Sequence, residues 1–90
     1  MDITKFNPRT VVRAITLCRP YVVAYCVKDR DGWLVQYPNK AEPELMEKKA
    51  FERKFCLEHA CPPKVKELFD GAPSFNQWRQ RRGGAQSWNG

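Results

Sequence analysis

Ninety residues, 42% hydrophobic and 29% charged, provide for one folded domain and exclude a wholly disordered or collagen-like chain. The net charge of +6 lies at the ends: residues 1–30 contribute +4, residues 31–61 contribute −1 and residues 62–90 contribute +3. Apolar runs such as Tyr21 to Val27 are far shorter than the roughly 18 residues of a bilayer span, and Met1 to Pro8 has no secretory pattern, so the expectation is a cytoplasmic protein without a membrane partner.

Residues Thr10 to Cys18 alternate Val12, Ala14, Thr16 and Cys18 against Val11, Arg13, Ile15 and Leu17, which predicts a strand, with a short helix as the alternative. Arg19-Pro20 ends it. Tyr21 to Lys28 is rich in β-branched residues, and Asp29-Arg30-Asp31-Gly32 predicts a type I turn closed by a glycine in the left-handed region. Trp33 to Tyr37 then returns as the second arm of a hairpin. Pro38-Asn39-Lys40 makes the next turn, and Ala41 to Met46 adds a short strand whose Pro43 suits a sheet edge. From Glu47 to Cys56 the period changes: Met46, Ala50, Phe51 and Phe55 recur at helical spacing with Lys48, Lys49, Glu52, Arg53 and Lys54 between them. Pro62-Pro63 breaks the chain before a short helix over Lys64 to Phe69, with Val65, Leu68 and Phe69 inward. Ser74-Phe75-Asn76-Gln77 is a capping box that opens a third helix, ended by Gly83-Gly84. The predicted fold is α+β: an antiparallel meander of three or four strands packed by one helix, then two short C-terminal helices. Residues 1–84 form the domain and 85–90 a flexible tail.

Cys18, Cys26, Cys56 and Cys61 are expected to be reduced. Cys18 and Cys26 read as small core residues on strands and Cys56 as a residue packed under a helix. Cys56, His59 and Cys61 are the one local set able to supply three metal ligands, although the spacing lacks the paired pattern of a zinc site. A cysteine and a histidine without an acid or an oxyanion donor do not make a nucleophilic centre, and Gly83-Gly84 follows a helix instead of preceding one, so it cradles no phosphate. The reading is therefore non-enzymatic, without a cofactor.

The most suggestive constellation is Trp78-Arg79-Gln80-Arg81-Arg82, followed by Trp88. Guanidinium groups pair with phosphates and carboxylates, and aromatic planes stack on bases or anchor protein interfaces, so Trp78, Arg79, Arg81, Arg82 and Trp88 are the candidate contact residues. The bland reading is a basic helix end with Trp78 docked into the body. Near the amino end Lys5, Arg9, Arg13 and Arg19 form a second basic group; if Arg13 faces solvent on an edge strand it guards that edge against aggregation, and this structural role is the favoured one. Trp33 and Tyr37 share a face and are expected in the core; were that face open, they and Tyr25 would form an aromatic patch. Glu42, Glu44, Glu47, Glu52 and Glu58 read as solvated surface.

Asp31-Gly32-Trp33-Leu34-Val35-Gln36-Tyr37-Pro38, followed by Ala50-Phe51-Glu52-Arg53-Lys54-Phe55, resembles small bacteriophage early-region accessory proteins, in which such a hairpin precedes a short aromatic helix. The resemblance covers about 25 of the 90 residues and carries over no catalytic residue. It implies a host-takeover protein, acting in the host cytoplasm, that inhibits or redirects a nucleic-acid-processing enzyme or defence complex: nuclease, recombination, transcription or CRISPR-like machinery. Direct nucleic-acid binding through the basic, aromatic C-terminal segment is the alternative, and a small zinc-stabilised interaction domain the second alternative.

Overall fold

In the computed structural model, which describes residues 3–81, a five-stranded antiparallel sheet runs in the order β4-β3-β2-β1-β5. The strands are β1 (Val11–Thr16), β2 (Val23–Lys28), β3 (Gly32–Gln36), β4 (Glu44–Glu47) and β5 (Phe55–Leu57). The α+β class and the meander over the first four strands agree with expectation; the fifth strand is an addition. Helix α1 (Lys48–Lys54) follows β4 directly and leads directly into β5, so it carries the chain from one sheet edge to the other. A seven-residue helix is only about 10 Å long, whereas the edge strands of a flat five-stranded sheet lie about 19 Å apart. The sheet therefore curls until its edges come within reach of α1.

The curl makes two faces with separate cores. On the inner face Ala14, Ala24, Cys26, Trp33, Val35, Tyr37, Phe51 and Phe55 are buried together. Alternation puts Trp33, Val35 and Tyr37 there in one row, and Phe51 from α1 stacks on Trp33 at 4.7 Å between ring centroids. On the outer face Tyr25, Val27 and Ile15 lie under three covers: the N-terminal turn with Ile3 and Phe6, the segment containing α2 (Pro63–Lys66) and Phe69, and a helix over 75–81, α3, with Phe75 and Trp78. Tyr25 thus belongs to the face opposite Trp33 and Tyr37, and no aromatic patch of the three exists. The α3 cap forms as its sequence requires. Gln77 N–H donates to Ser74 Oγ at 3.2 Å, and Ser74 N–H donates to Gln77 Oε1 at 3.0 Å.

Further expectations are corrected. Phe55 sits on β5 rather than on the helix, and Ala50 is exposed; position 55 faces the inner core from either conformation, which is why its spacing mimicked a longer helix. Leu68 points outward at 43% exposure, because the chain tightens into a 3-10 turn over Glu67–Phe69 and loses the helical phase. Cys18 is exposed beyond the end of β1, and Cys56 is half-buried on β5 rather than under a helix; Cys26 is buried as expected. Gly32 has no positive φ. It is needed for a different reason: a Cβ there would lie 2.0 Å from the Met46 carbonyl oxygen on β4.

Arg13 is also relocated. Its strand is interior, flanked by β2 and β5, and the side chain faces the outer core instead of guarding an edge. There it donates from Nε to Glu58 Oε1 at 2.8 Å, from a terminal nitrogen to Glu58 Oε2, and from the other to the carbonyls of Phe69 and Ala72 at 3.3 and 3.2 Å. The guanidinium lies 5.3 Å from the centre of the Phe69 ring. One side chain therefore ties β1 to the C-terminal layer, and Glu58 is a partner in that tie rather than free surface.

The hydrogen bonds from Arg13, with its charge, hold the Glu58 carboxyl below the ordinary carboxylate value against a smaller opposing effect of burial. A depressed folded-state value stabilises the fold above the unfolded carboxylate range, and this contribution is lost as pH falls through the folded value. Since the Glu58 side chain is 39% exposed, solvent screening reduces it to about 1 kcal/mol or less. Thermal denaturation from pH 6 down to pH 3 is expected to show a wild-type loss that Glu58→Gln flattens; parallel profiles for the two proteins would remove this role.

Candidate binding surface

The sequence-predicted contact residues separate once they are placed. Trp78 is 7% exposed. It stacks on Tyr25 with ring centroids 5.0 Å apart, and its indole Nε1 donates to the Pro38 carbonyl at 3.1 Å. Arg79 is half-buried with its guanidinium 5.6 Å from the centre of the Phe75 ring. Arg81 is exposed. Arg82 and Trp88 lie outside the described residues, as do the glycine pair expected to end α3 and the expected tail.

Trp78 acts on the surface indirectly, by fixing a loop. Gln36 is buried at the end of β3, and its Nε2 donates to the carbonyls of Tyr37 at 2.8 Å and Lys40 at 2.7 Å. With Trp78 holding Pro38 from the other side, residues 37–40 are pinned at three carbonyls. The pinned loop presents cations. Lys40 Nζ lies 4.8 Å and Lys54 Nζ 5.5 Å from the centre of the Tyr37 ring. Arg81 lines a hollow of about 480 Å³ on one side of the loop with Pro38, Asn39 and Lys40. Lys54 lines a second hollow, of about 720 Å³, with Tyr37, Lys40 and Glu44. Burial raises the Tyr25 hydroxyl above its ordinary value, opposed by the nearby charges of Arg13 and Arg81, so the phenol stays neutral and donates to the Pro73 carbonyl at 2.7 Å.

Beyond this loop the chain enters β4, at the sheet edge, and here lies a feature that sequence reasoning missed. Leu45 is 65% exposed on the outer face. With Phe6, Val27, Leu34 and Pro43 it lines a groove of about 320 Å³, rimmed by Lys28, Asp29 and Glu42. No described strand pairs with the outer side of β4. The signal in the sequence was Leu45 between Glu44 and Met46: with Met46 turned inward, period-two alternation sends Leu45 to the other face.

Among the described residues no three potential metal ligands converge. His59 is exposed, and Cys56 and Cys61 meet each other without a third ligand. No described helix is long and apolar enough to cross a membrane. Comparison of the chain with protein-family profiles, with curated proteins and with solved structures gave no match.

Proposed function

We propose that this chain is a non-catalytic binding protein that docks on a partner protein of nucleic-acid machinery and blocks or redirects it. The observation that carries the reading is Leu45, a large apolar side chain 65% exposed on an unpaired edge strand beside an apolar groove. An extended segment of a partner protein satisfies both features at once: its backbone continues the sheet from β4 while an apolar side chain fills the groove. Acidic groups on that segment would meet Lys40, Lys54 and Arg81 around the neighbouring loop. Nucleic acid fits this surface less well, because Glu42, Glu44 and Glu47 along the edge repel a phosphate backbone. The resemblance of the hairpin and following helix to small bacteriophage accessory proteins supports a host nuclease, recombination, transcription or defence complex as the partner class. The proposed contacts are Leu45, Lys40, Lys54 and Arg81, with Arg79, Arg82 and Trp88 as the remaining candidates and Trp78 as the residue that positions the loop.

The test is capture by the tagged protein from bacterial lysate, with and without nuclease and with a high-salt wash. A stoichiometric protein complex retained in every arm is expected. Material that disappears with nuclease or salt would instead make the chain a nucleic-acid-binding protein acting through its basic C-terminal segment.

A further inference from the structure

Cys56 is the middle residue of β5 and Cys61 precedes Pro62 and Pro63 at the start of α2, and between the strand and Cys61 runs a single 3-10 turn, Glu58–Ala60. Their sulfur atoms face each other at 2.8 Å, within about 1 Å of a disulfide bond length. Cys61 is 6% exposed and packed with Ile15 and Phe69; Cys56 packs against the same cluster but is only half-buried. Cys56 is thus the more accessible of the two thiols, as in a pair where one meets the oxidant and the other resolves it.

We propose that Cys56 and Cys61 are a reversible oxidation site, at which a low-molecular-weight disulfide of the glutathione class converts the two thiols into an intramolecular disulfide. In the first step the Cys56 thiolate attacks one sulfur of the oxidant, forming a mixed disulfide and releasing one small thiolate. In the second the Cys61 thiolate attacks Cys56 Sγ, closing the ring and releasing the other small thiolate. Two protein thiols are oxidised, one small disulfide is reduced to two small thiols, and the two protons end on these products. Cys56 is the more exposed of the two, so the attack begins there; burial, and then the neighbouring Cys56 thiol, push the Cys61 thiol up to about 12. Once Cys56 carries the mixed disulfide, its sulfur can no longer hold the negative charge that opposed ionisation of Cys61. The closed ring would fasten the turn that presents Glu58 to Arg13.

The experiment incubates the folded, reduced protein with oxidised glutathione, blocks remaining thiols with an alkylating agent and maps the products by mass spectrometry. Cleavage after Glu58 places Cys56 and Cys61 in separate peptides, so they stay joined only through a disulfide. Exposed Cys18 reports that the oxidant has acted. The expected result is a glutathione adduct on Cys18 and a Cys56–Cys61 cross-link in the monomer, reversed by dithiothreitol. Adduct on Cys18 with Cys56 and Cys61 both alkylated as free thiols, or each carrying its own glutathione, overturns the proposal. In Cys61→Ser the mixed disulfide should persist on Cys56; an unmodified Cys56 there overturns the assigned order of attack. Should that variant fail to fold, the wild-type map decides alone.

Discussion

Gly32→Ala is expected to be the most disruptive small substitution in the molecule. The new methyl would lie 2.0 Å from the Met46 carbonyl oxygen, 3.0 Å from its carbon and 3.1 Å from Glu47 Cα, all backbone atoms of β4. No rotamer change relieves such a clash, so β4 must move by more than 1 Å or leave the sheet. Both choices cost native contacts: the Trp33–Met46 and Leu34–Leu45 pairs follow Gly32 in the β3–β4 register, and Met46 covers the inner core. The penalty is about 3–5 kcal/mol, in the range reserved for backbone conflicts in packed sites. That is a large share of the roughly 5–10 kcal/mol that holds a domain of this size. Thermal denaturation should show a loss of about 15 °C or more, or no folded state, and hydrogen exchange should place the damage first in β4. A melting temperature within a few degrees of wild type would show that β4 does not approach β3 as described.

Trp78→Ala carries the second large effect, and it separates two roles for that tryptophan. A residue serving only as a partner contact could be truncated without harm to the fold. Buried against Tyr25 and Phe75, with its indole N–H on Pro38, Trp78 instead closes the outer core and pins the 37–40 loop. Its loss leaves a large cavity and an unpaired carbonyl and should cost about 3–5 kcal/mol, lowering Tm by about 15 °C. Trp78→Phe, which retains most of the packing, should cost well under half as much. An unchanged Tm for Trp78→Ala would return the residue to the surface and to the list of direct contacts.

What was legible in the sequence was local. The hairpin from Tyr21 to Tyr37 announced itself through β-branched runs and a short polar turn, and the cap of α3 through two side chains three residues apart. Both depend on interactions within a few residues. The fifth strand was hidden because its reason for existing is Ala14–Thr16, some forty residues upstream, whose edge pairs with Phe55–Leu57, and no local signal marks three residues after a helix as a strand. The role of Arg13 was hidden by the same omission. With β5 absent from the scheme, β1 looked like an edge, and an arginine on an edge looks like a guard. Gly32 shows a subtler limit: a glycine closing a turn suggests its backbone freedom, whereas here the missing side chain is what admits Met46 of β4.

The placement of the surface residues was hidden for a related reason. The arginine and tryptophan cluster at 78–82 has the composition of an interface, yet on a helix neighbouring positions point in different directions. Trp78 is buried, Arg79 half-buried and Arg81 exposed, a division that composition alone does not give. Leu45 was passed over because it sits among glutamates, and its exposure follows only when β4 has been placed at the rim with Met46 turned inward.

The edge strand is tested most directly by the same capture from lysate made in parallel with wild type, Leu45→Asp and Arg81→Glu, each first shown to be folded by circular dichroism and thermal denaturation. Leu45 is exposed, so its substitution should leave stability within about 0.5 kcal/mol of wild type. The expected result is a nuclease-resistant protein complex that Leu45→Asp abolishes and Arg81→Glu weakens about tenfold or more. Undiminished recovery of that complex by folded Leu45→Asp would contradict the assignment of the β4 edge as the binding surface.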